Sequence, residues 1–174
     1  MLWAPVNFER KGEKIMPMPI TRSPVPANFT QAAAGDPNLL ALVQGNLPNG
    51  KAIRLNAGAN QYLDYTLSLS AAGSAWSVQQ GRYNQFSGYW IFREDLDQCW
   101  QAQNTNGPLV YWNADGIAQW PPEDWELFVF QFAPGSQSSV VAKNIYGTNY
   151  MRISGTKFSC DGTLVNAMVW NVEF

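Results

Sequence analysis

The groups able to do chemistry in this chain are carboxylates, amides, aromatic rings and two thiols, because it contains no histidine. Ser-His-Asp and Cys-His triads, His-ligated zinc and imidazole acid–base catalysis are thereby excluded. Cys99 and Cys160 are too few for a four-thiolate metal site. Both fall in strand-like settings and read as buried free thiols, with a disulfide between them as the alternative. Glu123, Asp124 and Glu126, beside Pro121-Pro122, could supply the paired carboxyls that a glycosidase places on either side of one bond. The simpler reading is an acidic, solvated turn. Glu94, Asp95 and Asp97 read the same way, since neither their spacing nor a glycine fits a calcium loop. The expectation is a non-enzymatic protein with no metal and no cofactor.

Amides and rings are the richer resource. Sugar recognition needs an aromatic ring to stack on the apolar C–H face of a pyranose, with planar amides and carboxylates bonding neighbouring hydroxyls. The stretch densest in both is Trp112-Asn113-Ala114-Asp115. The plainer alternative makes Trp112 an ordinary barrel or surface aromatic.

Composition narrows what can position these groups. Hydrophobic residues make up 46% and charged residues 14%, against about 25% charged in ordinary soluble domains. A disordered chain, a coiled coil and a charge-laced helical bundle are excluded. The 174 residues suit one domain with a real core. A net charge of -2 draws the protein as a whole neither to nucleic acid nor to anionic lipid. No apolar run is long enough for a membrane span. At the N-terminus the charges of Glu9 to Lys14 follow the short apolar stretch instead of preceding it, unlike a signal peptide. A cytoplasmic location is therefore expected, with release by a non-classical route left open. Homo-oligomerisation is left open as well.

Residues 1–37 hold Pro5, Pro17, Pro19, Pro24, Pro26 and Pro37 of the 11 prolines and show neither strand nor helix period. They are expected to form an extended N-terminal arm. Arg-Lys-Gly-Glu-Lys-Ile before Met16 is what a translated ribosome-binding site would encode, which points to Met16 or Met18 as the natural start. From Leu39 onward, short β-favouring runs alternate with turn residues: Leu39 to Leu47, Ala52 to Asn56, Tyr62 to Ser70 and Trp76 to Gln80. Leu63, Tyr65, Leu67 and Leu69 alternate with polar residues as in a strand buried on one face. The best helical candidate is the short Phe29 to Ala34. Arg82 to Trp90 reads either as a strand or as an exposed aromatic loop.

Two words recur at a period of roughly 45–50 residues. One is Trp followed by alternating apolar residues, at Trp76-Ser77-Val78, Trp125-Glu126-Leu127 and Trp170-Asn171-Val172. The other is Ala52-Ile53-Arg54-Leu55, Cys99-Trp100-Gln101-Ala102 and Tyr150-Met151-Arg152-Ile153. Three units of about four strands each suit a barrel whose closure removes exposed edges. Trp76, Trp125 and Trp170 would then be equivalent, each placing its ring in the shared core. Arg54 and Arg152 read as structural, bonding turn carbonyls between strands.

On these words the sequence resembles the β-trefoil superfamily, in its ricin-B-like and fascin-like branches. The last unit, Tyr146 to Val172, is most similar to a fascin-type repeat, and the middle one, Gln98 to Trp125, to a ricin-B-type repeat. The resemblance implies an all-β fold, a β-trefoil of three four-strand repeats in a pseudo-threefold closed barrel. The domain would span 38–174, with repeats at about 39–80, 81–132 and 137–174. It further implies a lectin-like module whose second repeat binds carbohydrate through Gln101, Trp112, Asn113 and Asp115. Gln101 stands where the ricin-B pattern carries an aspartate, and Arg54 and Arg152 stand there in the other repeats. The alternative partners are proteins, bound by a fascin-like or inhibitor-like interaction domain or by a receptor-binding module associated with a toxin.

Overall fold

The computed structural model describes residues 28–93, 98–113, 125–145 and 149–174. Among them run one helix, α1 (Pro37–Gln44), and β1 (Lys51–Asn56), β2 (Tyr62–Leu63), β3 (Leu69–Ser70), β4 (Trp76–Tyr83), β5 (Phe86–Phe92) and β6 (Gln98–Ala102). The remaining strands are β7 (Leu109–Asn113), β8 (Phe128–Phe132), β9 (Ser139–Asn144), β10 (Tyr150–Ser154), β11 (Lys157–Gly162) and β12 (Val169–Glu173).

Six strands close on themselves. β1 pairs with β4, β4 with β5, β5 with β8, β8 with β9, β9 with β12 and β12 with β1, every pair antiparallel. The result is a closed six-strand barrel in which each member has a neighbour on both sides, so no ring strand offers an unpaired edge along its paired length. Three hairpins stand off the ring: β2–β3, β6–β7 and β10–β11. They touch one another in a cycle. The Tyr111 hydroxyl donates to the Tyr65 carbonyl at 2.7 Å, joining β7 to the β2–β3 loop. The Cys160 amide donates to the Gly107 carbonyl at 2.8 Å, joining β11 to the turn before β7. The Lys157 ammonium donates to the Thr66 carbonyl at 3.2 Å and completes the circuit.

The core lies inside this barrel and under its hairpins. Trp76, Trp100 and Trp170 are fully buried with Phe128, Phe158, Ile53 and Leu55. The rings meet mainly edge to face, Trp76 on Trp100 at 5.2 Å and Trp100 on Phe128 at 5.5 Å between centroids. The indole N–H groups of Trp76, Trp100 and Trp170 have no hydrogen-bond partner. An unmade bond costs about 1–3 kcal/mol, whereas truncating a buried Trp costs about 3–5 kcal/mol. Ring burial wins, and the three indoles behave as apolar filling.

The ring corrects the assignment of the three repeat-closing tryptophans. Trp76 faces Ile53 across β4–β1, and Trp170 faces Val140 across β12–β9. The corresponding residue on β8 is Phe128, which faces Tyr89 on β5. Trp125 lies outside the strand and is 40% exposed, so it does not belong to the core. Phe128-Val129-Phe130 carries the same alternation three residues later. The second recurrent word is also split: Arg54 lies on ring strand β1, whereas Gln101 and Arg152 lie on hairpin strands β6 and β10.

Three local expectations change as well. The run from Leu39 to Leu47 begins as α1, not as a strand. Asp36 accepts hydrogen bonds from the amides of Asn38 and Leu39, Pro37 occupies the first turn, and Gly45 ends the helix at φ 80. Leu39 and Leu42, on one face of that helix, are buried in the barrel core. Phe29 to Ala34 is not helical: Thr30 and Ala32 bond to Phe174 and Val172, and Gln31 bridges Glu173. The arm thus continues pairing along β12 where β9 has ended, while residues 1–27 lie outside the described part. Tyr62 to Ser70 is not one strand. Asp64 accepts from the amide and hydroxyl of Thr66 at 2.8 and 2.6 Å, which folds the run into the β2–β3 hairpin. Burial would raise the Asp64 pKa, but these bonds, with others from Ser70 and Ser68, outweigh it and hold the carboxyl below its ordinary value. Arg82 to Trp90 resolves as the end of β4, a tight turn with Asn84 at φ 53, and the start of β5.

Candidate functional site

The β6–β7 hairpin carries the residues expected to bind sugar. Its register sets Cys99 opposite Trp112 and Gln101 opposite Val110, so these four side chains share one face. Trp100 and Ala102 point the other way, into the core. Trp112 is half-buried and packs against a second apolar cluster of Tyr83, Trp90, Phe92, Cys99 and Leu127. Asn113 pairs with Gln98 at the end of the hairpin. Asp115 lies outside the described residues, as do Glu94, Asp95, Asp97, Glu123 and Asp124.

The segment 125–127 is laid along this hairpin. The Ala102 amide donates to the Trp125 carbonyl at 2.8 Å, and the buried Asn144 amide group donates to the Trp125 and Leu127 carbonyls, each at 3.0 Å. Space for Leu127 and β8 comes from facing glycines on β4 and β5. A Cβ on Gly81 would lie 2.7 Å from Leu127 Cδ1, and one on Gly88 would lie 2.6 Å from the Phe128 carbonyl oxygen. The path of the chain here depends on two missing side chains.

Glu126 is the residue whose setting differs most from expectation. It is only 3% exposed, not a solvated turn residue, and its carboxylate accepts a hydrogen bond from Gln101 Nε2. Beside this pair Trp125 turns its ring outward. Beneath it the Cys99 thiol is pushed well up, first by burial and then by the charge of Glu126. Cys160, also buried, is pushed up to about 12 by burial and by Asp161. Both are free thiols, so the disulfide alternative is not realised, and neither is a thiolate at neutral pH. The structure therefore brings Gln101 and Trp112 to one face, adds Glu126 through its bond to Gln101, and leaves Trp125, the residue before Glu126, exposed; sequence reasoning had placed Glu126 and Trp125 in other roles.

A second polar cluster sits at the start of the domain. Glu173 is buried and accepts from the Tyr62 hydroxyl at 2.9 Å and from Arg54 Nη1 at 3.3 Å. The Arg54 guanidinium lies over the Tyr62 ring at 4.2 Å and the Phe29 ring at 5.4 Å, and it donates to the Ala72 carbonyl at 2.9 Å. The bond to Glu173 is the chief cause that raises the Tyr62 pKa. This cluster clamps the arm to β1 and β12. Its only sequence signal is a glutamate in the otherwise apolar-patterned end of the chain. Arg152 instead pairs with the exposed Asp161 at 2.8 Å, a bond that lowers the Asp161 pKa.

Among the described residues no group of three or more carboxylate and thiol side chains is placed to hold a metal ion. No helix among them is long and apolar enough to cross a membrane. No protein-family model matches the chain, and no curated protein matches it.

Proposed function

We propose that the chain is a β-trefoil and acts as a non-enzymatic, lectin-like carbohydrate-binding module through the β6–β7 face. Three features support the trefoil reading. Ring strands and hairpins alternate along the chain, the hairpins lean on one another in a cycle, and Trp76, Phe128 and Trp170 hold corresponding register positions.

The carbohydrate reading is carried by one observation: Trp125 exposes 40% of its surface beside the Gln101–Glu126 pair. An outward indole offers the apolar plane on which a pyranose stacks. Glu126 is too buried to touch a ligand, and its part is to hold the Gln101 amide in one orientation. Gln101 Oε1 is then the acceptor offered to a sugar hydroxyl. Trp112 edges the same face, and Asn113 and Asp115, which follow it in the sequence, are proposed as further polar groups of the site from the sequence alone. One such shallow site binds modestly, so useful strength requires several sites or several copies.

The test is a titration of the intact protein with galactose, mannose and N-acetylglucosamine, followed by tryptophan fluorescence and supported by a glycan array. Binding lost in Trp125→Ala, with the fold retained by circular dichroism, supports the reading. Binding unchanged in Trp125→Ala, or a flat array, contradicts it. A protein-binding reading has one observation in its favour: Val165 is 99% exposed and Leu164 38% exposed on the β11–β12 loop.

A further inference from the structure

Two Asn-Gly pairs occur among the described residues, Asn49-Gly50 and Asn106-Gly107, and the fold treats them in opposite ways. Asn-Gly is the dipeptide in which the following backbone nitrogen most readily reaches the asparagine side chain, because glycine has no Cβ to obstruct it. At the first pair both reacting groups are engaged. Asn49 Oδ1 accepts from the Gln80 amide at 2.6 Å, and the Gly50 amide donates to the Val78 carbonyl at 2.8 Å. Cyclisation there would break two bonds that tie the start of β1 to β4. At the second pair Asn106 is exposed, just past the short 3-10 turn Gln103–Thr105, and its side-chain amide makes no hydrogen bond among the described residues.

We propose that Asn106-Gly107 is a self-modification site, converting in water to aspartyl and isoaspartyl forms, while Asn49-Gly50 is protected by the fold. The Gly107 nitrogen gives up its proton to solvent and attacks Asn106 Cγ. A C–N bond forms, the Cγ–Nδ2 bond breaks, and ammonia leaves with a solvent proton. Water then opens the cyclic imide at either carbonyl. Opening at one restores the normal chain as an aspartate, and opening at the other routes the main chain through the side chain.

The second product has a structural consequence. The Gly107 carbonyl accepts from the Cys160 amide at 2.8 Å, and Pro108 bridges Ser159. These contacts join the β6–β7 hairpin to β10–β11. An extra methylene inserted in the main chain immediately before Gly107 displaces that carbonyl, so the site acts as a slow, irreversible loosener of the hairpin circuit.

The experiment ages the intact protein in mildly alkaline buffer and maps its peptides for the amide-to-acid mass gain and for isoaspartate. A urea-unfolded sample is aged in parallel. The expected result is conversion at Asn106 at least about tenfold faster than at Asn49 in the folded protein, with the two rates converging when unfolded. Comparable rates at the two sites in the folded protein overturn the proposal. Hydrogen exchange of the Cys160 amide should accelerate in the aged wild type and remain slow in aged Asn106→Gln. Unchanged Cys160 protection in fully converted protein overturns the loosening.

Discussion

Gln101 and Glu126 show how a neighbouring amide helps make a buried charge tolerable. A carboxylate that is 3% exposed needs donors, and Gln101 Nε2 supplies one from the neighbouring strand. Gln101→Ala removes it and should destabilise the fold by about 1–3 kcal/mol in urea unfolding at neutral pH. Gln101→Glu should be worse at neutral pH, because it sets two carboxylates against each other. Its pKa and that of Glu126 would be pushed apart, so one carboxyl would hold a proton above its ordinary range. Stability of that variant should therefore recover as the pH is lowered, and Gln101→Ala should recover as well, because a protonated Glu126 no longer buries an under-bonded charge. A Gln101→Ala variant as stable as wild type would remove Glu126 from this account. Neither role of segment 125–127 was legible beforehand. Trp125-Glu126-Leu127 reads like Trp76-Ser77-Val78, and only register distinguishes an outward indole at Trp125 from the inward ring at Phe128. Cys99 and Cys160 were legible as buried free thiols, since both fall in strand-like, apolar settings.

At the scale of elements, the barrel strands were the readable part. Ala52 to Asn56 and Trp76 to Gln80 fall within β1 and β4 because half-buried strands write their period into the sequence. The hairpin β2–β3 did not show, because Leu63, Tyr65, Leu67 and Leu69 keep strand-like alternation across a turn made by one aspartate. The helix α1 did not show either. Its apolar run suits strand or helix, and the decision belongs to Asp36, Pro37 and Gly45 at its ends. One close approach between elements is where β8 and the preceding segment cross β4 and β5. Gly88→Ala would drive a methyl to 2.6 Å from a backbone oxygen that no rotamer change can move. We expect a loss of about 1–3 kcal/mol, read as a lower denaturation midpoint. Outward turning of Trp125 should be disturbed with it, because the same segment is displaced. A Gly88→Ala protein of wild-type stability would mean that this crossing is looser than the geometry states.

The whole molecule joins a closed ring of six strands to three hairpins that brace one another, with an arm clamped on β12 by Arg54 and Glu173. Such a frame holds its large rings rigidly and leaves loops and the flanks of the hairpins to meet partners. Of the eight tryptophans, Trp76, Trp100 and Trp170 fill the core, Trp90 is buried in the second apolar cluster with Trp112 packed against it, Trp125 is exposed, and Trp3 and Trp120 lie outside the described residues. That division makes the proposed function directly measurable. Indole N–H signals recorded by NMR during titration with the simple sugars named above should report each ring separately. The account predicts that the Trp125 signal moves most, that Trp112 follows, and that Trp76, Trp100 and Trp170 stay in place. Saturating sugar that leaves Trp125 unmoved, or that shifts the three core indoles instead, would contradict it.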